Sequence, residues 1–185
     1  MIKNDKKGLR ARLDDIYKWS VKSGVAVATP NSLKVQWDKV IEELNETLLH
    51  VHFDDGDKLV DDIGDVFIAF INLLNMNPRK KKGVFEQNVE RMDRVANMIK
   101  SSSKMQNLVT SWKVFLKDVL FSTIKEAHRL KGKTVQEEDL FMFMSRLISI
   151  YSHVSRLFKL KTSLKNCIYA SYREIQDRRY EIRVR

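Results

Sequence analysis

Two prolines and six glycines are all that punctuate 185 residues. Pro and Gly are the strongest local breakers of regular structure, so a chain this sparing of them favours long helices over many short strands. Apolar residues recur at spacings of three and four almost throughout, and period-two alternation is scarce. The expected fold class is all-α, a helical bundle of about six to seven helices. With 43% hydrophobic and 31% charged residues the chain is too apolar for a disordered one. Its longest apolar run, Val66 to Leu74, is too short to span a bilayer and contains Asn72.

The spacing predicts a first helix over Leu9 to Ser23, stopped by Gly24. Pro30, Asn31 and Ser32 form a start signal for a second, from Leu33 to His52. Phe53-Asp54-Asp55-Gly56-Asp57 reads as a turn, and a third helix runs from Lys58 to Met76, before Asn77-Pro78. A fourth covers Val84 to Lys100, and Ser101-Ser102-Ser103 is the candidate linker. Three more helices follow. One carries Leu108, Trp112, Phe115, Val119, Leu120, Ile124 and Ala127. The next carries Leu140, Met144, Leu147, Ile148, Tyr151 and Phe158, opened by Thr134-Val135-Gln136-Glu137 as a capping box. The last spans Ser163 to Glu181. The aromatic and Met stripes of this half are read as core. The domain reading is a metal-binding half over 1–100 and a basic helical half over 101–185, packed as one compact domain.

The second and third helices concentrate acid. Glu43 and Glu46 are three apart, as are Asp62 and Asp65, so each pair shares a helix face. In an antiparallel hairpin, residues equidistant from the turn lie at one height. Glu46 and Asp62 average to position 54, as do Glu43 and Asp65, and position 54 lies in the turn. Four carboxylates converging between two helices repel unless a cation neutralises them, and hard oxygen ligands suit Mg²⁺ or Mn²⁺. Solvated helix-surface charge is the competing reading. Flanking Val40, Ile41, Leu44, Val60, Ile63 and Val66 weigh against it, and so does Gly64, which costs about 1 kcal/mol relative to Ala inside a helix. A glycine there points to close approach of a helix or a ligand.

At these residues the chain resembles the MazG-like nucleotide pyrophosphohydrolases of the all-α NTP pyrophosphatase superfamily. The family signature EExxE followed by ExxD is matched by Glu42-Glu43-Leu44-Asn45-Glu46 and Asp62-Ile63-Gly64-Asp65-Val66, with Asp62 where the family usually has Glu. Ile16-Tyr17-Lys18-Trp19, Gly24-Val25, Thr29-Pro30, Gln36 and Lys39 fit phage and bacterial members, so the resemblance covers about residues 14 to 78. Cys167 to Arg179 resembles the closing helix of the family. About 90 residues separate the Asp62/Asp65 motif from this closing helix, whereas small family members have far fewer. This stretch is either an inserted helical pair or part of a degenerate internal duplication. In the second reading Ile124-Lys125-Glu126 lies over Ile41-Glu42-Glu43, with Arg129 at Glu46, and Ile175 to Arg178 echoes Glu90 to Arg94.

The resemblance implies Mg²⁺-dependent hydrolysis of (deoxy)nucleoside triphosphates to monophosphate and pyrophosphate, with Mn²⁺ as the alternative ion. Glu43, Glu46, Asp62 and Asp65 would ligate metal, and Glu42 or Glu46 would orient or deprotonate the attacking water. Arg178, Lys39 and Arg91 are the candidates for the phosphates, Trp19 and Gln36 for the base, and Asn88 for sugar or phosphate. A homodimer, or an internal pseudo-dimer if the second half is a copy, is the expected assembly.

Charge leaves a rival open. Residues 1–78 hold 10 Lys/Arg against 13 Asp/Glu, and residues 79–185 hold 24 against 11, net −3 and +13. The basic half is either a solvated helical surface or a field for polyphosphate or nucleic acid. A non-catalytic nucleotide sensor, or a protein binding nucleic acid or a partner through that half, is therefore the alternative. Other chemistry is poorly supported. His50-x-His52 points to different helix faces, no Walker A motif or glycine-rich fingerprint is present, and nothing marks Cys167 as a nucleophile. One cysteine and a start without an apolar stretch after its charges lead us to expect a cytoplasmic protein.

Overall fold

The continuous apolar run becomes the middle of the molecule. In the computed structural model, which describes residues 9–25, 30–76 and 109–183, the run lies in a helix that packs against four others. The helices are α1 (Leu9–Lys22), α2 (Pro30–Phe53), α3 (Leu59–Met76), α4 (Val109–Leu130), α5 (Glu137–Leu157) and α6 (Leu164–Arg183). The described residues form an all-α bundle without strands. Helix α3 contacts α1, α2, α5 and α6. Fourteen of its residues are buried, which is why its sequence is apolar all round and not in one stripe. Among the described residues, no helix is long and apolar enough to cross a membrane.

Two antiparallel hairpins, α2–α3 and α4–α5, sit side by side, with α2 against α4 and α3 against α5. Helices α1 and α6 close over α3 and touch each other. The hairpins share one core. Phe143 of α5 meets Trp37 of α2 edge-on at 5.1 Å between centroids and Phe70 of α3 at 5.4 Å. Leu44, Phe67, Leu120, Tyr151 and Ile168 belong to the same buried cluster.

Local chemistry sets the ends. Gly24, at φ 75°, takes the left-handed conformation after α1, where Ser23 N–H donates to the Trp19 carbonyl and Gly24 N–H to that of Val21. Helix α2 begins at Pro30, whose fixed φ suits a first helical position, so Asn31 and Ser32 fall inside its first turn. Asp54, at φ 60°, starts the turn between α2 and α3. The capping box of α5 sits two residues later than the sequence suggested: Gln136 N–H donates to Asp139 Oδ2 at 3.1 Å. The Thr134 and Glu137 pattern is the same motif out of register, and Arg129, 3.3 Å from Asp139, holds the used acid in place.

The stripe expected as core in the second half divides. Leu116, Leu120, Ile124 and Ala127 are buried, whereas Phe115 is half-exposed. Trp112 and Phe115 instead flank His153 of α5, at 5.3 and 5.2 Å. The helix expected over Val84 to Lys100, Leu108 and the Ser101–Ser103 linker lie outside the described residues.

Candidate acidic site between two helices

The antiparallel pairing of α2 with α3 fixes which acids meet. Gln36 Nε2 donates to the Ala69 carbonyl at 2.8 Å near one end, and His50 Nδ1 lies 2.6 Å from Asp62 Oδ2 near the other. Between these clamps, Glu43 faces Asp65 and Glu46 faces Asp62, each close enough for its charge to raise the facing carboxyl. This is the register that equal distance from the turn demands.

Burial then decides how these groups ionise. Asp65 is pushed up to about 7, first by desolvation and then by the charge of Glu43, with Glu174 and Asp61 adding to it. Asp62 is also raised by burial, and its bond to His50 recovers only part of the cost. Glu43, 5% exposed, is raised although Lys39 Nζ sits 2.6 Å from its Oε1, because desolvation outweighs the ion pair. Burial acts to lower Lys39, but bonds and charge from Glu43 and Glu42 together outweigh it and hold the ammonium above its ordinary range. Glu42 and Glu46 are exposed, with Glu42 3.2 Å from the same ammonium. The cleft is therefore strongly acidic, and three of its four facing carboxyls bind protons more readily than in water.

The charges meet as two facing pairs and not as one knot. Among the described residues, no three His, Cys, Asp or Glu side chains form a group that could hold a metal ion. Lys39 pairs with Glu43, and His50 bonds to Asp62, so one acid of each pair has a partner within the protein.

Helix α6 supplies the third wall, which sequence reasoning missed at residue level. Ser171 has one hydroxyl proton and three acceptors within reach: the Asp61 carbonyl at 3.2 Å, the Cys167 carbonyl at 3.4 Å and the Asp65 carboxylate. Glu174 adds negative charge against Asp65 and Asp61, and Asp61 is raised by burial and by Glu174. The signal that marked this approach is Gly64. A Cβ there would meet Ser171 Oγ and the Cys167 carbonyl, whose carbon lies at 2.9 Å. The close approach expected at this glycine is that of a helix.

The remaining site candidates are more scattered. Gln36 is buried, with its amide committed to Ala69. Trp19 is partly buried against the core and meets Tyr172 of α6 edge-on at 6.1 Å. Asn88 and Arg91 lie outside the described residues, and Arg178 lies in α6 beyond its described side chains. The positions that the copy reading aligns with Glu43 and Glu46 are Glu126 and Arg129, joined to each other at 2.6 Å.

Lys39→Met removes the cation that half-neutralises Glu43. We expect it to cost about 1–2 kcal/mol at pH 7.5, below the usual figure for a broken buried pair because Lys39 is half-exposed. Without Lys39 the folded Glu43 carboxyl rises further, so the loss should shrink as pH falls and vanish below its unfolded value, near 4.5. Urea unfolding at pH 7.5 and pH 4 measures both. An equal loss at the two values would mean that Lys39 acts through packing alone.

No protein-family model, curated protein or solved structure matched the chain when it was compared with each.

Proposed function

We propose that the chain hydrolyses (deoxy)nucleoside triphosphates to monophosphate and pyrophosphate at the α2–α3 cleft, with a divalent cation, Mg²⁺ or Mn²⁺, held by Glu43, Glu46, Asp62 and Asp65. The observation that carries this reading is the register of α2 against α3, held by the Gln36–Ala69 and His50–Asp62 bonds, which sets Glu43 opposite Asp65 and Glu46 opposite Asp62. The chemistry of the donors suits a hard divalent ion, since all four are carboxylates and three are raised by burial, a cost that a bound cation relieves; among the described residues no three of them are grouped as a metal site requires, so the two pairs would have to draw together around the ion. Such an ion supplies charge neutralisation for the triphosphate and lowers the pKa of a bound water.

The chain's own residues divide the remaining work. Glu42 and Glu46 are exposed at the mouth, where either can hold a water and accept its proton. Lys39, half-exposed beside them, can swing from Glu43 to the phosphates once Glu43 is otherwise neutralised. Asp61 and Glu174 keep the inner wall acidic, which disfavours direct approach of phosphate from that side. Trp19 and Gln36 stay candidates for contact with the base, and Arg178, Arg91 and Asn88 for the sugar and phosphates.

A second reading has its own observation. Lys39 already pairs with Glu43 and His50 with Asp62, so one acid of each pair has a partner within the protein itself. This reading makes the protein a nucleotide sensor, or a binder of nucleic acid or a partner through its basic half. Incubation with a panel of NTPs and dNTPs plus Mg²⁺ or Mn²⁺, followed by measurement of pyrophosphate and monophosphate, separates the two. Turnover should appear in the wild type and fall at least ~100-fold in Glu46→Gln and Asp65→Asn. No turnover on any nucleotide with either ion would leave the second reading. Activity that survives both substitutions would move the site elsewhere.

A further inference from the structure

Helices α4 and α5 run antiparallel, with Arg129 Nη2 3.3 Å from Asp139 and Arg146 Nη1 3.5 Å from Ser122. Both pairs of numbers sum to 268. Met142 is therefore level with the turn of α4 that carries Lys125, and Arg156 with Trp112, whose ring its guanidinium covers at 5.4 Å. Val114, Phe121 and Lys125, at spacings of seven and four, share one face of α4. Met142, Arg146, Ser149, His153 and Arg156, at spacings of four and three, share one face of α5. Both faces turn away from the core, since the buried Leu116, Leu120 and Ala127 of α4 and Leu147, Tyr151 and Val154 of α5 lie opposite. Apolar side chains stand out on this surface: Val114 is 56% exposed, Phe115 49%, Phe121 54% and Met142 58%. Its charge is one-sided. Residues 109–125 hold three Lys against Asp118, and residues 142–161 hold Arg146, Arg156, Lys159 and Lys161 with no acid, seven cations to one anion. Lys113 pairs with Asp54 and Lys117 turns to His52, both on the α2 side, which leaves five. The hairpin's other acids, Glu126, Glu137, Glu138 and Asp139, gather near its turn, where Arg129 holds two of them.

We propose that this outer α4–α5 face docks on an anionic lipid membrane. Its apolar side chains enter the boundary between headgroups and acyl chains, and its cations meet the headgroups. Each end of the surface already joins a ring to a cation: Lys125 Nζ lies 4.7 Å from the centroid of Phe121, and the Arg156 guanidinium lies over Trp112. Such a pair suits that boundary, because the charged head stays in the polar layer while its stem and the ring beside it sink. Several cations on one face add their attractions to an anionic surface. Nucleic acid is the rival for a basic surface with aromatic residues, and the same contacts disfavour it. A base stacks on a free ring face, whereas Arg156 covers Trp112, His153 packs against that ring at 35° and Lys125 covers Phe121. Val114 and Met142 offer a base no stacking surface, but acyl chains accept them. Two helices side by side lie flat on the bilayer, so none has to cross it. The inference stands apart from the proposed activity, because none of these residues belongs to the acidic cleft.

The test uses the full chain with vesicles of phosphatidylcholine alone or mixed with about 30% phosphatidylserine. Flotation should recover the chain with mixed vesicles at least ~10-fold better than with phosphatidylcholine, and less well at high salt than at low. Phe121→Asp and Met142→Asp should each lower that binding at least ~10-fold with unchanged helical circular dichroism, because a charge must then enter the apolar layer. Arg146→Glu combined with Arg156→Glu should remove the preference for phosphatidylserine. For insertion, an environment-sensitive fluorophore on Met142→Cys should shift to the blue on mixed vesicles, and one on Arg173→Cys, exposed on α6, should not. Native Cys167 is buried and stays unlabelled. No binding to mixed vesicles at low salt overturns the proposal, whether a single-stranded oligonucleotide, a protein or nothing takes the face instead. So does binding that is indifferent to phosphatidylserine, binding that both Asp substitutions leave intact, or a label at position 142 that does not shift.

Discussion

Gly64→Ala should be among the most damaging single-methyl changes in this protein, lowering stability by about 2–4 kcal/mol in spite of a favourable helix term of about 1 kcal/mol. At an exposed helical site the same change stabilises. Here the new methyl meets the Cys167 carbonyl, part of the α6 backbone, so no side-chain rotation relieves the clash. Either α6 moves away from α3 or the buried face between them opens. Ser171→Gly added to Gly64→Ala should therefore rescue little, because it clears the hydroxyl and leaves the carbonyl. Chemical denaturation of the single and double variants measures this. A neutral or stabilising Gly64→Ala would show that α3 and α6 do not touch here.

Asp65→Asn should have the opposite sign at neutral pH. A carboxyl whose folded pKa is above its unfolded value binds its proton more tightly when folded. Its stabilising contribution is fully present below the unfolded value near 3.8, declines as pH rises, and is lost once pH passes the folded value of about 7. The shift corresponds to at most about 4 kcal/mol, and we expect 2–3 kcal/mol because the group is not fully enclosed. The wild type should therefore lose stability between pH 4 and pH 8, and Asp65→Asn should lose less. The variant should be the more stable of the two at pH 8 and no better at pH 4. Glu43, Asp62 and Asp61 slope the same way, so the difference between the two proteins isolates Asp65. Superimposable pH profiles would refute a raised Asp65. At pH 8, Mg²⁺ should raise the melting temperature of the wild type and leave Asp65→Asn nearly unmoved if the cleft holds the ion.

Much of this was legible in the order of residues, for reasons that can be named. Long helices follow from scarce Pro and Gly, and the predicted ends of α1, α3 and α6 fall within two residues of the observed ones. The meeting of Glu43 with Asp65 and of Glu46 with Asp62 needed only equal distances from a short turn. The pairing of Lys39 with Glu43 was also within reach, since residues four apart share a helix face. What stayed hidden was non-local. Ser171 and Glu174 reach Asp65 from more than a hundred residues away, and only the helix-interior glycine hinted that something would come so close. The α5 cap was misplaced because two acids offered the same motif, and Arg129, on another helix, chose between them. Phe115 carries an apolar signal identical to that of its buried neighbours, and its place outside the core follows from how α4 and α5 pack.

The contact of Gly64 with Cys167 also sets a schedule for synthesis. One partner leaves the ribosome 103 residues before the other. At about 5–20 residues per second, the α2–α3 hairpin waits on the order of 5–20 s with an apolar flank of α3 uncovered. During that interval the nascent chain offers a surface suited to holdase chaperones, and a ribosome stalled before α6 leaves it exposed. Folding to completion is thus a C-terminal event, although the acidic hairpin is made early.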